Sequence, residues 1–335
     1  MFAKKIGIDL GTASTRVYVR GEGIVLDEPS LAAVEIPGDR VLAVGREARQ
    51  VAERARDAVR LVPVLPDGAL ADIELLEQVL RHLVTRAQGR QRLFRPEVMI
   101  CVPAAATSQH RRAMTEAAIS AGARQAWLIE APLAMAMGLG LPVAESRGHA
   151  VCDLGASGAQ VAVVSQSGVV VTQSVAAGGD HLDADIARLV RDRHGVVLEQ
   201  RAAEALKVAL GSAVPLDRPR SLLATGRSAS GPGTASATVS SAEVTEAVGE
   251  RLEGVAAAVR EVLRQTPSTV LEGAVERGLF LAGGGALLRG LDVYLERETG
   301  LRVRVAGDAL TCAVRGTRRA LGEFELLQRR QLYPR

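Results

Sequence analysis

The chain of 335 residues is short of cysteine, of net charge and of long apolar runs. Its three cysteines, Cys101, Cys152 and Cys312, lie far apart inside apolar stretches. That spacing excludes a disulfide framework and a cysteine-ligated metal, and it suits a reducing cytosol. The 41 Lys and Arg against 38 Asp and Glu leave a formal charge of +3. No global basic field therefore points to nucleic acid, and any basic patch is local. No apolar run reaches the ~18–20 residues that cross a bilayer. The opening "MFAKKIGIDLG" enters a strand almost at once, which is read as leaving no room for a signal peptide. The expectation is a protein that is soluble or lies on a membrane surface.

What is present is an ordinary globular balance, 47% apolar and 24% charged residues. The chain is long enough for two lobes. β-branched runs alternate with Ala/Leu/Arg-rich helical segments, so the class is α/β. "VMICVP" at 98–103 reads as a buried strand, followed by a helix capped by Ser108 and ended at Gly122. Pro132 suits the first turn of the helix "PLAMAMGLG". A long amphipathic helix is expected around 241–265. The segment 227–238, "RSASGPGTASAT", lacks periodicity and reads as a loop.

One pattern occurs twice. "IDLGTASTR" at 8–16 and "CDLGASGAQ" at 152–160 each carry Asp-Leu-Gly after an apolar run, then small residues, then an alternating strand. Such a glycine hairpin exposes backbone N–H groups to phosphate oxygens, and hydroxyls add donors. A strand-end Asp can hold a divalent cation, usually through water. One Asp-Gly turn alone is most often just a turn. Two of them, with a third element in "FLAGGGALLRG", are stronger evidence. Gly283, Gly284 and Gly285 let backbone approach a ligand closely just before an expected helix start.

With these motifs in view, the chain resembles the actin-like ATPase superfamily and, within it, the bacterial MreB/Mbl cell-shape proteins. The likeness is carried by "IGIDLGTASTRVYVRGEGIVLDEPS", "ICVPAAATSQHRRAMTEAAISAGAR", "LIEAPLAMAMGLGLPV", "GGDHLD", "AAEALKVALGSA", "LAGGGALLRGL" and "DALTCAVRGT". It runs from about residue 5 to 322. The resemblance implies an actin-like two-lobed α/β fold with duplicated ribonuclease-H-like subdomains around a nucleotide cleft. The lobes would be residues 1–147 and 148–322, with 323–335 as a tail. ATP and Mg²⁺ are the implied cofactors.

Carried over residue by residue, the implied nucleotide contacts begin with Gly11, Thr12, Ala13, Thr15 and Arg16 in the first hairpin. Gly155, Ala156 and Ser157 follow in the second. Glu204 and Lys207 match the pair at the ribose, although their spacing alone favours an i,i+3 surface pair. Gly283, Gly284, Gly285 and Ala286 match the adenosine turn. Asp9 and Asp153 are implied to meet Mg²⁺ through water. Arg16 stands where the MreB pattern has Leu and other actin-like proteins place a basic residue toward phosphate. A solvated strand arginine is the other reading, and both stay open.

The departures concern hydrolysis. Where the family reads Asp-Ile-Gly-Gly-Gly-Thr-Thr-Glu, Gly158 and Ala159 replace the two threonines. Where it reads Leu-Ile-Glu-Glu-Pro, the chain has Glu130-Ala131-Pro132. The missing carboxylate is the one expected to orient the attacking water, so no catalytic residue is assigned and hydrolysis is expected to be weak or lost. The second hairpin reads as kept for shape.

Finally, "RAQGRQRLFRPE" sets Leu93 and Phe94 among Arg86, Arg90, Arg92 and Arg95, a composition suited to an anionic membrane surface. Phe2, Lys4 and Lys5 would be a minor second anchor. The implied function is a membrane-associated filament that organises cell-envelope synthesis and cell shape. Its implied partners are further copies, MreB-like paralogues, anionic membrane and envelope-synthesis proteins, with no nucleic acid. The implied location is cytoplasmic, peripheral at the inner face of the cell membrane. The rivals are a working ATPase or sugar-type kinase of the same fold, and a non-polymerising adaptor.

Overall fold

Alternation decides the first strand: along Lys5–Leu10 (β1), Ile6, Ile8 and Leu10 are buried in one core, and Gly7 and Asp9 take the opposite face. The computed structural model describes residues 3–68, 72–89 and 94–323. β1 pairs antiparallel with Ser14–Val19 (β2), which pairs with Gly23–Pro29 (β3). Leu31–Glu35 (β4), Val41–Val44 (β5) and Val59–Pro63 (β6) form a small side sheet, with helix Arg46–Arg54 (α1) between the last two.

Ile73–Gln88 (α2) follows, then Glu97–Val102 (β7), Ser108–Ser120 (α3), Gln125–Glu130 (β8) and Ala131–Leu139 (α4). The main sheet runs β3-β2-β1-β7-β8, with β7 and β8 added in parallel. α2 starts where Asp72 Oδ1 accepts from Leu75 N–H at 2.9 Å. It buries Leu76, Val79, Leu80, Leu83, Val84 and Ala87, one stripe at helical spacing, in the core with Ile6 and Ile8. Each buried leucine contributes about 1.5–3 kcal/mol. α3 is capped by Thr107, one residue before the expected Ser108, through His110 N–H to Thr107 Oγ1 at 3.2 Å.

The next stretch repeats the plan. His149–Leu154 (β9), Ala159–Ser165 (β10) and Gly168–Val175 (β11) lead to Gly179–His194 (α5), Val196–Val197 (β12) and Gln200–Leu210 (α6). Ser221–Ser228 (β13), Thr234–Ser240 (β14), Ser241–Gln265 (α7) and Ser268–Arg277 (α8) precede Leu279–Ala282 (β15), Leu291–Thr299 (α9) and Val303–Val305 (β16). The sheet order β11-β10-β9-β15-β16 duplicates the first sheet strand for strand. A capping box opens α7, with Ser240 N–H donating to Glu243 Oε2 at 2.9 Å and Glu243 N–H to Ser240 Oγ at 3.3 Å.

Two expectations are corrected here. Residues 227–238 are a loop only over 229–233: β13 runs to Ser228 and β14 starts at Thr234, with Arg227 opposite Thr234 and Ser228 N–H donating to Gly233 O at 2.9 Å. The strand pattern there is written in Ser, Thr and Ala, with Ala224 and Val239 buried, so large apolar residues do not mark it.

The lobe boundaries also differ. One unit takes the chain to Ser146, Val164–Val169 and the chain from Thr311, and the other takes Arg147–Val163 and Val170–Leu310. The last helix, Cys312–Gly322 (α10), packs on α4 and β1 of the first unit because glycines remove the obstructing side chains. A Cβ at Gly316 would lie 1.7 Å from Ala134 O, one at Gly138 1.9 Å from Cys312 O, and one at Gly7 1.8 Å from Thr317 Oγ1. That close approach, and not chain order, assigns α10.

Candidate functional site

The first hairpin is built from a tight turn and a buried prop. Gly11 N–H donates to Ser14 O at 3.1 Å. Below the turn, Thr15 Oγ1 and Ser30 Oγ lie 2.7 Å apart, and Ser30 Oγ donates to Gly11 O at 2.5 Å. Thr15 is 1% exposed. Strand alternation sends it inward, and Ser14 and Arg16 take the other face. The expected hydroxyl contact from Thr15 is therefore corrected to a support that fixes the turn. Thr12 is half-buried and Ala13 exposed, so the turn itself stays accessible.

Arg16 is neither solvated nor isolated. It stands opposite Asp9 on β1 and Asp27 on β3, so the three form one lateral row. Its Nε lies 3.1 Å from Asp27 Oδ1.

In the second hairpin Gly155 N–H donates to Gly158 O at 2.8 Å. The carbonyls of Gly155 and Ala156 accept from Gly179 and Asp180 N–H, at 3.0 and 2.9 Å. Those are the first two N–H groups of α5, which have no partner inside the helix. The hairpin thus caps α5. A Cβ at Gly178 would sit 2.1 Å from Ala156 O, and one at Gly158 would sit 2.9 Å from Val175 O. Ala159 is 2% exposed. The places of the two threonines are filled by neighbouring backbone and core.

Lys207 has two protein partners. Its Nζ donates to Gly179 O at 2.9 Å and pairs with Asp183 Oδ1 at 2.9 Å. Burial pushes the Asp183 carboxyl up, and the Lys207 ammonium opposes that shift. Burial likewise raises Asp180. Lys207 braces α6 against the start of α5 with two of its three donors. Glu204, one turn earlier, is exposed and open.

The triple glycine divides by role. Gly283 has φ 81°, and a Cβ there would meet Leu154 O at 2.3 Å and Asp153 Oδ1 at 2.5 Å. A Cβ at Gly285 would lie 2.8 Å from Leu154 Cβ. Both glycines are imposed by packing on the end of β9. Gly284 is exposed and its Cβ would meet only Leu310 Cδ2, at 3.7 Å. Ala286 is 2% exposed, so its methyl group packs in the core beneath the turn. The expected helix start is a single 3₁₀ turn, Gly284–Leu287, and α9 begins only at Leu291. Sequence reasoning missed Arg289, which donates to Val208 O, Ala209 O and Gly211 O at 3.2, 3.3 and 3.0 Å. A cation on the last carbonyls of α6 ties that helix to the glycine turn.

Among the described residues no cluster of three or more His, Cys, Asp or Glu is placed to hold a metal ion. Asp153, half-buried at a strand end, fits a water-mediated contact to a cation whose other ligands are phosphates. Asp9 fits poorly, because a guanidinium holds the next place in its row.

The family model described as MreB/Mbl protein matches residues 3–329. The chain is 42% identical to the cell shape-determining protein MreB of Escherichia coli K12, over 97% of this chain and 95% of that one. It is 34% identical to the cell shape-determining protein Mbl of Bacillus subtilis 168, over 99% and 100%. The chain belongs to the MreB/Mbl family. The crystal structure of MreB 5 of Spiroplasma citri bound to AMPPNP matches with a TM-score of 0.89 at 28% identity, covering 99% of each chain. The MamK double helical filament matches with a TM-score of 0.77 at 21% identity over 96% and 99%, a likeness of fold alone. The fold is actin-like, and the protein is an MreB/Mbl actin homologue of the cell-shape-determining class.

In this MreB/Mbl chain Ala131 is the first residue of α4, and Glu130 holds the position before it. Glu130 Oε1 accepts from an Arg111 Nη at 2.7 Å, and Arg111 also donates to Ala104 O and Ala106 O at 3.1 and 3.2 Å. Glu130 is thus held aside by a guanidinium that is itself fixed.

Of the membrane calls, Leu93, Arg90, Arg92 and Phe2 lie outside the described residues. Phe94 is 52% exposed and Arg95 is exposed. Lys4 pairs with Glu22 at 2.7 Å and Lys5 with Glu97 at 3.6 Å. Arg86 is corrected from membrane cation to structural fork. Its two Nη donate to Glu28 at 3.1 and 2.5 Å, and Arg46 N–H adds a third bond at 3.3 Å. Gly45 makes the room, since a Cβ there would meet Glu28 Oε2 at 1.8 Å.

The Arg86 hydrogen bonds hold the Glu28 carboxyl below its ordinary 4.5. A depressed carboxylate contributes stability above its unfolded pKa and loses it as pH falls through the folded one. Glu28→Gln is expected to cost about 1–2 kcal/mol at pH 7, the lower part of the range for charged hydrogen bonds because Arg86 is partly solvated. Urea unfolding across pH checks this: the gap to the parent should narrow as pH falls below 4.5.

Proposed function

We propose that this MreB/Mbl chain binds ATP, assembles into filaments at the inner face of the cell membrane and there organises envelope synthesis, with hydrolysis slow or absent. The observation that carries the ATP reading is the accessible Thr12–Ala13 turn, propped from below by Thr15 and Ser30. Gly284, taken by itself, likewise offers exposed backbone at a glycine turn. Structures of MreB5 of Spiroplasma citri bound to AMPPNP and to ADP, at TM-scores of 0.89 and 0.88, add weight. Mg²⁺, where it accompanies the nucleotide, neutralises phosphate charge, and Asp153 is the residue that would face it through water. Sedimentation with and without ATP tests assembly. ATP-dependent pelleting supports the filament, and its absence favours a non-polymerising adaptor.

The membrane reading rests on exposed Phe94 at the end of an arginine-rich segment, since among the described residues no helix is long and apolar enough to cross a bilayer. Leu93→Ser with Phe94→Ser is expected to release the protein from anionic liposomes, while added salt only weakens the parent. Equal co-sedimentation of the double variant and the parent would make the segment structural.

A further inference from the structure

Gly179 makes two contacts at once. Its N–H donates to Gly155 O at 3.0 Å, which holds the second hairpin on the start of α5. Its carbonyl accepts from Lys207 Nζ at 2.9 Å. A Cβ at Gly179 would lie 3.1 Å from Lys207 Nζ and 3.9 Å from Ala156 Cα, so ammonium and hairpin backbone meet at this one residue. Asp183 follows four positions later, one turn along α5, where its carboxylate reaches the same ammonium at 2.9 Å. The Asp183 side chain is 3% exposed and that of Lys207 17%, so the pair is largely removed from solvent. Taking either partner away would leave the other without its counter-ion. Asp180 and Glu204 add two further carboxylates around the pair. Even with a charged His181 beside Asp180 the cluster is negative, so what it can give a phosphate site is position and not charge.

We propose that Asp183 and Lys207 act as one positioning pair for the second phosphate hairpin, through Gly179, and so set how strongly the phosphates of ATP are held. The inference rests on the ATP-binding reading above. Asp183 is 2% exposed, too buried to meet a ligand, and acts through Lys207. The carbonyls of Gly155 and Ala156 are held by the first N–H groups of α5, so the hairpin is fixed only as firmly as that first turn. A lysine bound to Gly179 O, and itself held by a buried carboxylate, keeps the turn in place. In Asp183→Asn the ammonium regains the freedom of its long flexible stem, and Gly179 loses a fixed partner. The hairpin must then be ordered as phosphate arrives, which weakens the grip on phosphate and leaves the adenosine contacts as they were.

The test displaces a fluorescent ATP analogue from the full chain with ATP and with adenosine. The ratio of the two affinities measures what the phosphates contribute. Asp183→Asn should lower that ratio about tenfold, the scale of one hydrogen bond to a charged group. Adenosine itself should change by less than about threefold, a difference near thermal energy. Lys207→Met should lower the ratio as far. The double variant should do no worse than the more affected single one, because residues that act as a unit are not additive. A pair that serves only the fold would lower the melting temperature and leave the ratio unchanged; that result overturns the proposal, as do additive losses. If neither variant folds, hydrogen exchange of the parent decides. ATP should slow exchange at Gly179 and Asp180 more than adenosine does, and equal protection overturns the proposal. A parent that binds ATP no more tightly than adenosine overturns this inference alone. Absence of ATP binding by the parent removes the ATP reading, and this inference with it.

Discussion

Gly284→Trp should abolish ATP binding in a protein that still folds. Gly284 is exposed, has ordinary backbone geometry and offers a Cβ nothing closer than Leu310 Cδ2 at 3.7 Å. The indole therefore projects from the turn without displacing protein. If the adenosine lies against this turn, the indole occupies its place, and a loss of at least about 100-fold in affinity follows from excluding the ligand. Gly283→Ala provides the contrast. Its positive φ and a Cβ 2.3 Å from Leu154 O force strain into the junction with β9, about 1–3 kcal/mol for the backbone alone. That variant should melt earlier whether or not ATP is present. Calorimetric titration and thermal unfolding of both variants separate the outcomes. A Gly284→Trp protein that binds ATP as the parent does removes the glycine turn from the site.

The contrast between these glycines shows where sequence reading ends. "AGGGA" announces a close approach, but only the packing of Gly283 and Gly285 on Leu154 says which glycines serve the fold and which one faces outward. The duplicated hairpins were legible because Asp-Leu-Gly between two apolar runs is local information. The matching sheet orders follow from that repeat. Thr15 was misread because spacing gives its distance from Gly11 and not its face; strand alternation turns it to Ser30. The bracing role of Lys207 was hidden because its partners lie 28 and 24 positions back, at Gly179 and Asp183, beyond any local pattern. The β13–β14 hairpin was hidden because its buried positions are small. α10 was assigned to the wrong lobe because chain order says nothing of the glycine contacts that seat it on α4.

ATP hydrolysis by the parent protein should be feeble, and Ala131→Glu alone should raise it. An in-line attack on a γ-phosphate needs a group that orients water, and alanine offers no acceptor. Glu130 does not substitute. It is bound to Arg111 at 2.7 Å, and its neighbour Ala131 starts a helix locked by glycine contacts to α10. The absence of such a group commonly lowers rate by ~10²–10⁴-fold. Glutamate at the first position of α4 suits the helix dipole, so the variant should fold. Restoring threonine at Gly158 is a poorer experiment, because a Cβ there lies 2.9 Å from Val175 O and disturbs the cap of α5. Thr in place of Ala159 would bury a hydroxyl in a site only 2% exposed. Phosphate release under polymerising conditions is therefore to be measured for the parent, Ala131→Glu and Glu130→Gln. The expected result is a rise of at least about tenfold in Ala131→Glu, a modest share of a full water-orienting effect, with no change in Glu130→Gln. A fall in Glu130→Gln would make Glu130 the working group. A folded, ATP-binding Ala131→Glu protein with the parent's rate would show that the deficit lies elsewhere, in the α5-capping hairpin whose threonine positions backbone and core have filled.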